Sequence, residues 1–272
     1  MLGRSDAGVA GRAACIGCCC TRGRAGSAGA RGCGSPAKAS RARGAFGILR
    51  GVPKWCKTII AILLLPVCVG AAGALWRVLR ASGEADTTWV PFLAGAACWV
   101  VIYILLPKPM WMYVLGHELT HALWTWLFGG RVKKFKASAK GGHVVVTKSN
   151  FAVALAPYFF PLYAMLVVLV FVAAHWFFDW RHYLVWFHLL LGAAYAFHVT
   201  LNAHILRYNQ TDITEQGYLF SAVVIFLGNV TVLIIGIPLL ASQVGVLTAL
   251  HWWIGCTVEA LQALQRVLLA SR

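Results

Sequence analysis

Charged residues are scarce in this chain, and acidic residues are the scarcest: 8 Asp and Glu stand against 24 Lys and Arg, and the four types make up 12% of the 272 residues. Hydrophobic residues make up 60%, and the mean hydropathy is +0.73. A soluble domain carries about 25% charged residues, because its surface must be hydrated. The composition therefore excludes an ordinary soluble domain. It predicts an integral, multi-pass protein in contact with the lipid bilayer, and we expect the cell membrane as its location.

Basic residues are unevenly placed along the chain. Eleven lie in the first 57 residues and six in residues 131–148. Clusters beside apolar segments favour contact with anionic lipid. Because the rest of the chain offers no soluble basic domain, we expect no nucleic-acid partner.

The first 50 residues are rich in Gly, Ala, Arg and Ser and lack hydrophobic periodicity. Such a composition predicts a disordered, low-complexity tail. The alternative is a metal site formed by the cysteines of this segment, which are Cys15, Cys18, Cys19, Cys20 and Cys33.

Apolar segments of roughly 20 residues, long enough to cross about 30 Å of hydrocarbon, follow the tail. We predict an all-α polytopic fold with six or seven transmembrane helices and a short β-hairpin after the third. The first two helices lie in 51–109 and a core in 110–240. The last segment, in 241–272, either spans the membrane or lies in its interface. The predicted spans are 57–79, 88–106, 110–129, 150–176, 183–206, 214–240 and 243–269.

The hairpin is predicted from residues 131–150, where Val, Phe and Lys alternate on either side of Gly141-Gly142. It either faces solvent or is buried against protein at membrane depth. The next span opens at Asn150 and should be kinked, because Pro157 and Pro161 remove backbone donors.

The stretch GHELTHALW, residues 116–124, places ionisable side chains inside an apolar segment. His117 and His121 are four residues apart, so on a helix both imidazoles project from one face, as two ligands of one tetrahedral zinc would. In H-E-x-x-H hydrolases the glutamate, here Glu118, is the base that takes a proton from water. The alternative is a polar cluster that bonds neighbouring helices or relays protons.

A catalytic zinc site needs a third protein ligand. Asp212 is one candidate, although Asp212 with Glu215 also fits a helix capping box. His198 and Asn202, one turn apart, either hold substrate or the oxyanion, or form interhelical hydrogen bonds. His143 on the hairpin either approaches the metal or is a surface histidine. The remaining candidates are Asp179, His182, His188, His204 and Glu215.

A zinc motif within a span, a hairpin directly after it and a late acidic residue together resemble the site-2 protease family of intramembrane zinc metalloproteases. In that family the third ligand is an aspartate on a later helix, often in a Leu-Asp-Gly motif. This chain lacks Leu-Asp-Gly. Its QTDIT, residues 210–214, is similar to the Ser-Asp-Ala of some smaller bacterial relatives, which implies Asp212 as the ligand. The resemblance covers roughly residues 110–235.

We therefore expect a zinc metalloendopeptidase that hydrolyses peptide bonds of transmembrane proteins or peptides, with Zn²⁺ as cofactor. The alternative function is that of a non-catalytic or transport-type membrane protein with a polar or metal-binding cluster.

Overall fold

The computed structural model describes residues 53–138 and 141–270, and the backbone of Ala14–Ile16. Apart from those three residues, the predicted disordered tail and its cysteine cluster lie outside the described residues. The described elements are β1 (Ala14–Ile16), α1 (Lys54–Ala81), α2 (Asp86–Leu105), α3 (Met110–Leu127), β2 (Val132–Ser138), β3 (Gly141–Val146), α4 (Phe151–Phe159), α5 (Leu162–Phe178), α6 (Leu184–Ile205), α7 (Thr211–Gln216), α8 (Tyr218–Ala241) and α9 (Val246–Ala270).

Four helical segments among the described residues are long and apolar enough to cross a membrane, or five if the bent pair α4 and α5 counts as one span. The four are α1, α2, α8, and α6 with the 3₁₀ turn before it. The predicted total of six or seven spans is thus not confirmed. The predicted third and seventh spans, α3 and α9, are helical but do not meet this test. His117, Glu118 and His121 lower the mean hydropathy of α3. The polar residues in the second half of α9 lower the mean hydropathy of that helix.

The predicted kink in the fourth span is confirmed. Asn150 caps α4 by accepting a hydrogen bond from the Val153 N–H at 2.8 Å. The helix ends at Phe159, Pro161 precedes α5, and the two helix axes differ by 75°. Because Pro161 has no N–H, the carbonyl of Pro157 has no donor four residues ahead. A side chain of another helix supplies that donor, as described below.

The hairpin follows α3 as predicted, but its turn lies earlier than expected. Strands β2 and β3 are separated by residues 139–140, so Gly141 and Gly142 belong to β3 and are not the turn. Position 142 is occupied by glycine because a Cβ there would collide with side chains of α3. Strand β3 is central in the order β1-β3-β2, since Ala14–Ile16 pairs antiparallel with its outer edge.

The hairpin has one buried face and one open face. Val144 and Val146 are fully buried against Val153 and Trp124, whereas the lysines of β2 are exposed. One face of the hairpin is therefore packed against protein, and the depth of the hairpin in the membrane stays a prediction.

Helix packing brings the far ends of the chain to the core. Helices α2 and α6 cross closely, because Gly95 lies against the Leu189 backbone and Gly192 against the Phe92 backbone. Helix α1 packs along α8 through small side chains such as Ala71 and Ala74. This packing places the first turns of α1 beside α7.

Candidate metal centre

Helix α3 presents one buried face to the rest of the protein. Tyr113, Gly116, His117, Thr120 and His121 recur at the three- and four-residue spacing of a helical face, and all are buried. His117 is 4% exposed and His121 is fully buried. The two imidazoles lie edge to face with ring centroids 4.9 Å apart. The predicted arrangement of the two histidines is therefore present.

Asp212 is brought to these histidines by the separate short helix α7. Its Oδ2 atom lies 3.6 Å from Nε2 of His117 and 3.6 Å from Nε2 of His121. Among the described residues this is the one group of His, Cys, Asp or Glu side chains close enough to share a metal ion, with ligand atoms within 4.8 Å of one another. Asp212 is 6% exposed.

The capping-box interpretation of Asp212 is not supported by the helix geometry. The N-cap of α7 is Gln210, and no side chain caps it, whereas Asp212 lies inside the helix. Its partner in the supposed box, Glu215, is exposed. The carboxylate of Asp212 faces the histidines, so its position agrees with a ligand rather than a cap.

The separations of Asp212 Oδ2 from the two Nε2 atoms fit a tetrahedral ion. Two ligands about 2.0–2.1 Å from a zinc ion at a tetrahedral angle are about 3.3 Å apart, close to the observed separations of 3.6 Å. A divalent cation would also balance the negative charge of the buried Asp212 carboxylate. The three residues supply three ligand atoms and leave one tetrahedral position, as in catalytic zinc sites.

Neighbouring groups orient both imidazole rings through Nδ1, the ring nitrogen that does not face Asp212. Nδ1 of His121 lies 2.8 Å from the Val153 carbonyl, to which a protonated Nδ1 donates. Nδ1 of His117 lies 3.3 Å from the Tyr113 hydroxyl. With Nδ1 protonated, each Nε2 lone pair points towards Asp212, and neither Nε2 atom has a hydrogen-bond partner among the described residues. The Tyr158 hydroxyl donates to Asp212 Oδ2 at 3.4 Å.

Glu118 is fully buried beside this cluster, and neither carboxylate oxygen has a hydrogen-bond partner within the described part of the chain. A buried carboxylate without a donor is costly. Its stem is held by the hairpin: an added Cβ on Gly142 would lie 2.6 Å from Glu118 Cγ. Strand β3 therefore forms one wall around the carboxylate.

His198 and Asn202 both lie near the centre, but neither belongs to the group of ligand atoms. The Asn202 amide accepts from the Tyr113 hydroxyl at 2.9 Å and donates to the Pro157 carbonyl at 3.2 Å. It thereby supplies the donor that Pro161 lacks and joins α6 to α3 and α4. One ring nitrogen of His198 lies 3.2 Å from the same amide. The interhelical bonds considered for this pair are present, and a role towards substrate stays a prediction.

A small cavity lies on the side of His117 that faces His198. Its volume is about 20 Å³, enough for roughly one water molecule. The side chains of Tyr113, Thr120 and Tyr163 complete its polar lining.

The other predicted ligand candidates lie elsewhere. Asp179 follows α5 and pairs with Arg181 at the surface, and His182 is exposed next to it. His188 is buried on α6, and His204 lies at the end of the same helix. His143 alternates with the buried Gly142 and Val144 and so belongs to the opposite face of β3. None of them joins the group around Asp212.

Several contacts of this centre were not predicted from the sequence. Tyr113 lies one turn before His117 on the same helical face, so its spacing was an available signal. Gly142 was recognised as a turn glycine but not as a contact of Glu118. Tyr158 and Asn229, whose amide donates to the Tyr158 carbonyl at 3.1 Å, have no local signal, because their partners come from other helices.

Comparisons of this chain with protein-family models, with curated proteins and with solved structures gave no match. The function of this chain is therefore inferred from the geometry of the centre itself.

Proposed function

We propose that this chain is an intramembrane zinc metalloendopeptidase, a multi-pass protein of the cell membrane that hydrolyses peptide bonds of transmembrane proteins or peptides. One observation carries the proposal. Three buried ligand atoms from His117, His121 and Asp212 lie within 4.8 Å of one another, next to the Glu118 carboxylate, which has no hydrogen-bond partner among the residues that the structure describes. A metal-binding group alone would not require that carboxylate.

The residues have separate roles in the proposed reaction. His117, His121 and Asp212 hold the ion, and zinc in such a site supplies Lewis acidity that makes water nucleophilic near neutral pH. Glu118 accepts a proton from the attacking water and returns it to the leaving amine. Val153 and Tyr113 keep the imidazoles oriented, and burial of the whole group excludes bulk solvent.

We propose that the substrate pairs with the outer edge of β3 and displaces Ala14–Ile16, the segment that covers this edge. A transmembrane helix must unwind before its peptide bonds can be cleaved, and the exposed backbone groups then need partners. That edge accepts extended backbone in this protein, because Ala14–Ile16 pairs there antiparallel with Val144–Val146. The same strand contacts Glu118 through Gly142, so a paired substrate would lie beside the proposed base.

The test combines metal analysis with cleavage of a transmembrane peptide by protein purified in detergent. We expect one zinc ion per chain in the wild type. Glu118→Gln keeps the shape of the side chain and should retain zinc, while the cleavage rate falls about 10²- to 10⁴-fold, the usual range for loss of a general base. Asp212→Ala should lose both zinc and cleavage.

Three outcomes would contradict the proposal. A wild-type protein without stoichiometric metal would remove its basis. Full cleavage by Glu118→Gln would remove the proposed base. If the wild type holds metal but moves ions across vesicles without cleaving any transmembrane peptide, the transport-type alternative is correct.

A further inference from the structure

We propose that Lys57, at the start of α1, is a positioning residue for the metal centre and acts through α7. The inference rests on the proposed function, because it assigns Lys57 to the same metal site. Lys57 lies outside the H-E-x-x-H helix and 155 positions before Asp212 (212 − 57). Nothing in the local sequence around it points to a role in metal binding.

The contact that carries the inference joins two distant segments. Nζ of Lys57 donates to Oε1 of Gln216 at 2.6 Å, and Lys57 is only 5% exposed. A buried lysine is rare unless its ammonium group is paired, since desolvation of the charge is costly. The ammonium group also lies 6.0 Å from the centre of the Phe220 ring, on the first turn of α8.

Helix α7 needs such an anchor because it is only six residues long. A helix of this length is not stable by itself, so tertiary contacts must define its position. At its N-terminal side, the Gln210 side chain donates to the Ile205 carbonyl at 3.2 Å. At its C-terminal side, Lys57 binds Gln216, where a cation also compensates the negative end of the helix dipole.

Asp212 lies between these two anchors and has to meet both histidines with one oxygen. Loss of the C-terminal anchor lets α7 tilt, so that Asp212 no longer meets the ion at the correct distance. Removal of groups that orient a ligand costs about 10- to 100-fold in metal affinity. We expect a loss of that size for Lys57→Met, which keeps the length of the stem but removes the charge.

The experiment uses the full chain in detergent and measures zinc affinity by competition with a chelator. Gln216→Ala should produce the same loss as Lys57→Met, and the double variant should be no weaker than either, because both remove one contact. Lys57→Arg should largely restore affinity. Lys54→Met is the matched control, since Lys54 is an exposed residue on the same first turn of α1, and it should bind zinc like the wild type.

A second readout separates positioning from general stability. With Co²⁺ in place of zinc, the visible absorption spectrum of Lys57→Met should change because the carboxylate ligand moves, while the unfolding temperature of the metal-free protein stays within a few degrees of the wild type. Equal zinc affinity and an unchanged cobalt spectrum in Lys57→Met would overturn the inference and leave the proposed function standing. A wild type that binds neither metal would overturn both.

Discussion

Gly142→Ala is the most informative single perturbation of this protein, because it moves the proposed base without removing any ligand. The added Cβ would lie 2.6 Å from Glu118 Cγ, 2.8 Å from the Lys136 carbonyl oxygen and 2.8 Å from Val114 Cγ1, whereas ordinary van der Waals contact begins at 3.4 Å. The Lys136 oxygen belongs to the backbone of the paired strand and cannot easily yield. The strain must therefore fall largely on Glu118 or on the whole strand.

The size of the effect follows from these distances. Relief of the closest contact requires a displacement of 3.4 − 2.6 = 0.8 Å. A misplacement of about 1 Å in a reacting group costs on the order of 10²-fold in rate. We therefore expect the cleavage rate of Gly142→Ala to fall about 100-fold, with an overpacking cost of about 1–3 kcal/mol in stability. Zinc content should not change, because His117, His121 and Asp212 are not among the contacts.

The assay compares turnover of a transmembrane peptide and bound zinc in Gly142→Ala and in His143→Ala. His143 is the matched control, since it is the next residue of β3 but belongs to its other face, and its variant should cleave like the wild type. Unchanged turnover in Gly142→Ala would refute the contact between the hairpin and the base. Loss of zinc in parallel with turnover would show that the hairpin supports the ligands instead.

Two further variants test the elements around the centre. Asn202→Ala leaves the Pro157 carbonyl without its donor and should lower the free energy of unfolding by about 1–3 kcal/mol, measured by denaturant titration in detergent. The control is Asn209→Ala, because Asn209 is exposed. Equal stability of the two variants would contradict the role of Asn202. Val144→Pro removes a ladder donor from β3 and should abolish cleavage with zinc retained, whereas undiminished cleavage would exclude strand pairing with the substrate.

Local features of the sequence were sufficient to predict the elements that depend on interactions between residues close together in the chain. The spacing of His117 and His121 determines that both imidazoles share a face of any helix they form, and the helix is present. Asn150 and Pro161 define the start of α4 and its break, because a capping side chain and a missing N–H act within four residues. The alternating hairpin after α3 was also correct, although its turn was placed too late.

The six or seven spans that local signals predict are not confirmed. A segment such as α3 can be helical and well packed yet too polar by composition to be identified as a span, because its ionisable side chains face protein. The number of segments that cross the membrane therefore cannot be counted from apolar runs alone.

Which acidic residue lies beside the two histidines was beyond any local pattern. From the sequence, Asp212 fitted a helix cap as well as a ligand. The choice was made by the packing of α7 against α4 and α8, which turns the carboxylate towards α3. Long-range packing brings together atoms that are almost a hundred residues apart, and no spacing rule contains that information.

The sequence by itself thus determined an apolar, helical chain with a pair of imidazoles on one helical face and a carboxylate beside them. Only the tertiary structure decided that Asp212 joins them, that Gly142 lies against Glu118, and that Lys57 donates a hydrogen bond to Gln216 of α7. The physical reason is the separation along the chain over which each kind of interaction acts. Helix periodicity, caps and proline breaks act over one turn, whereas a metal centre needs side chains from several elements to meet within a few ångströms, and that depends on how the whole chain packs.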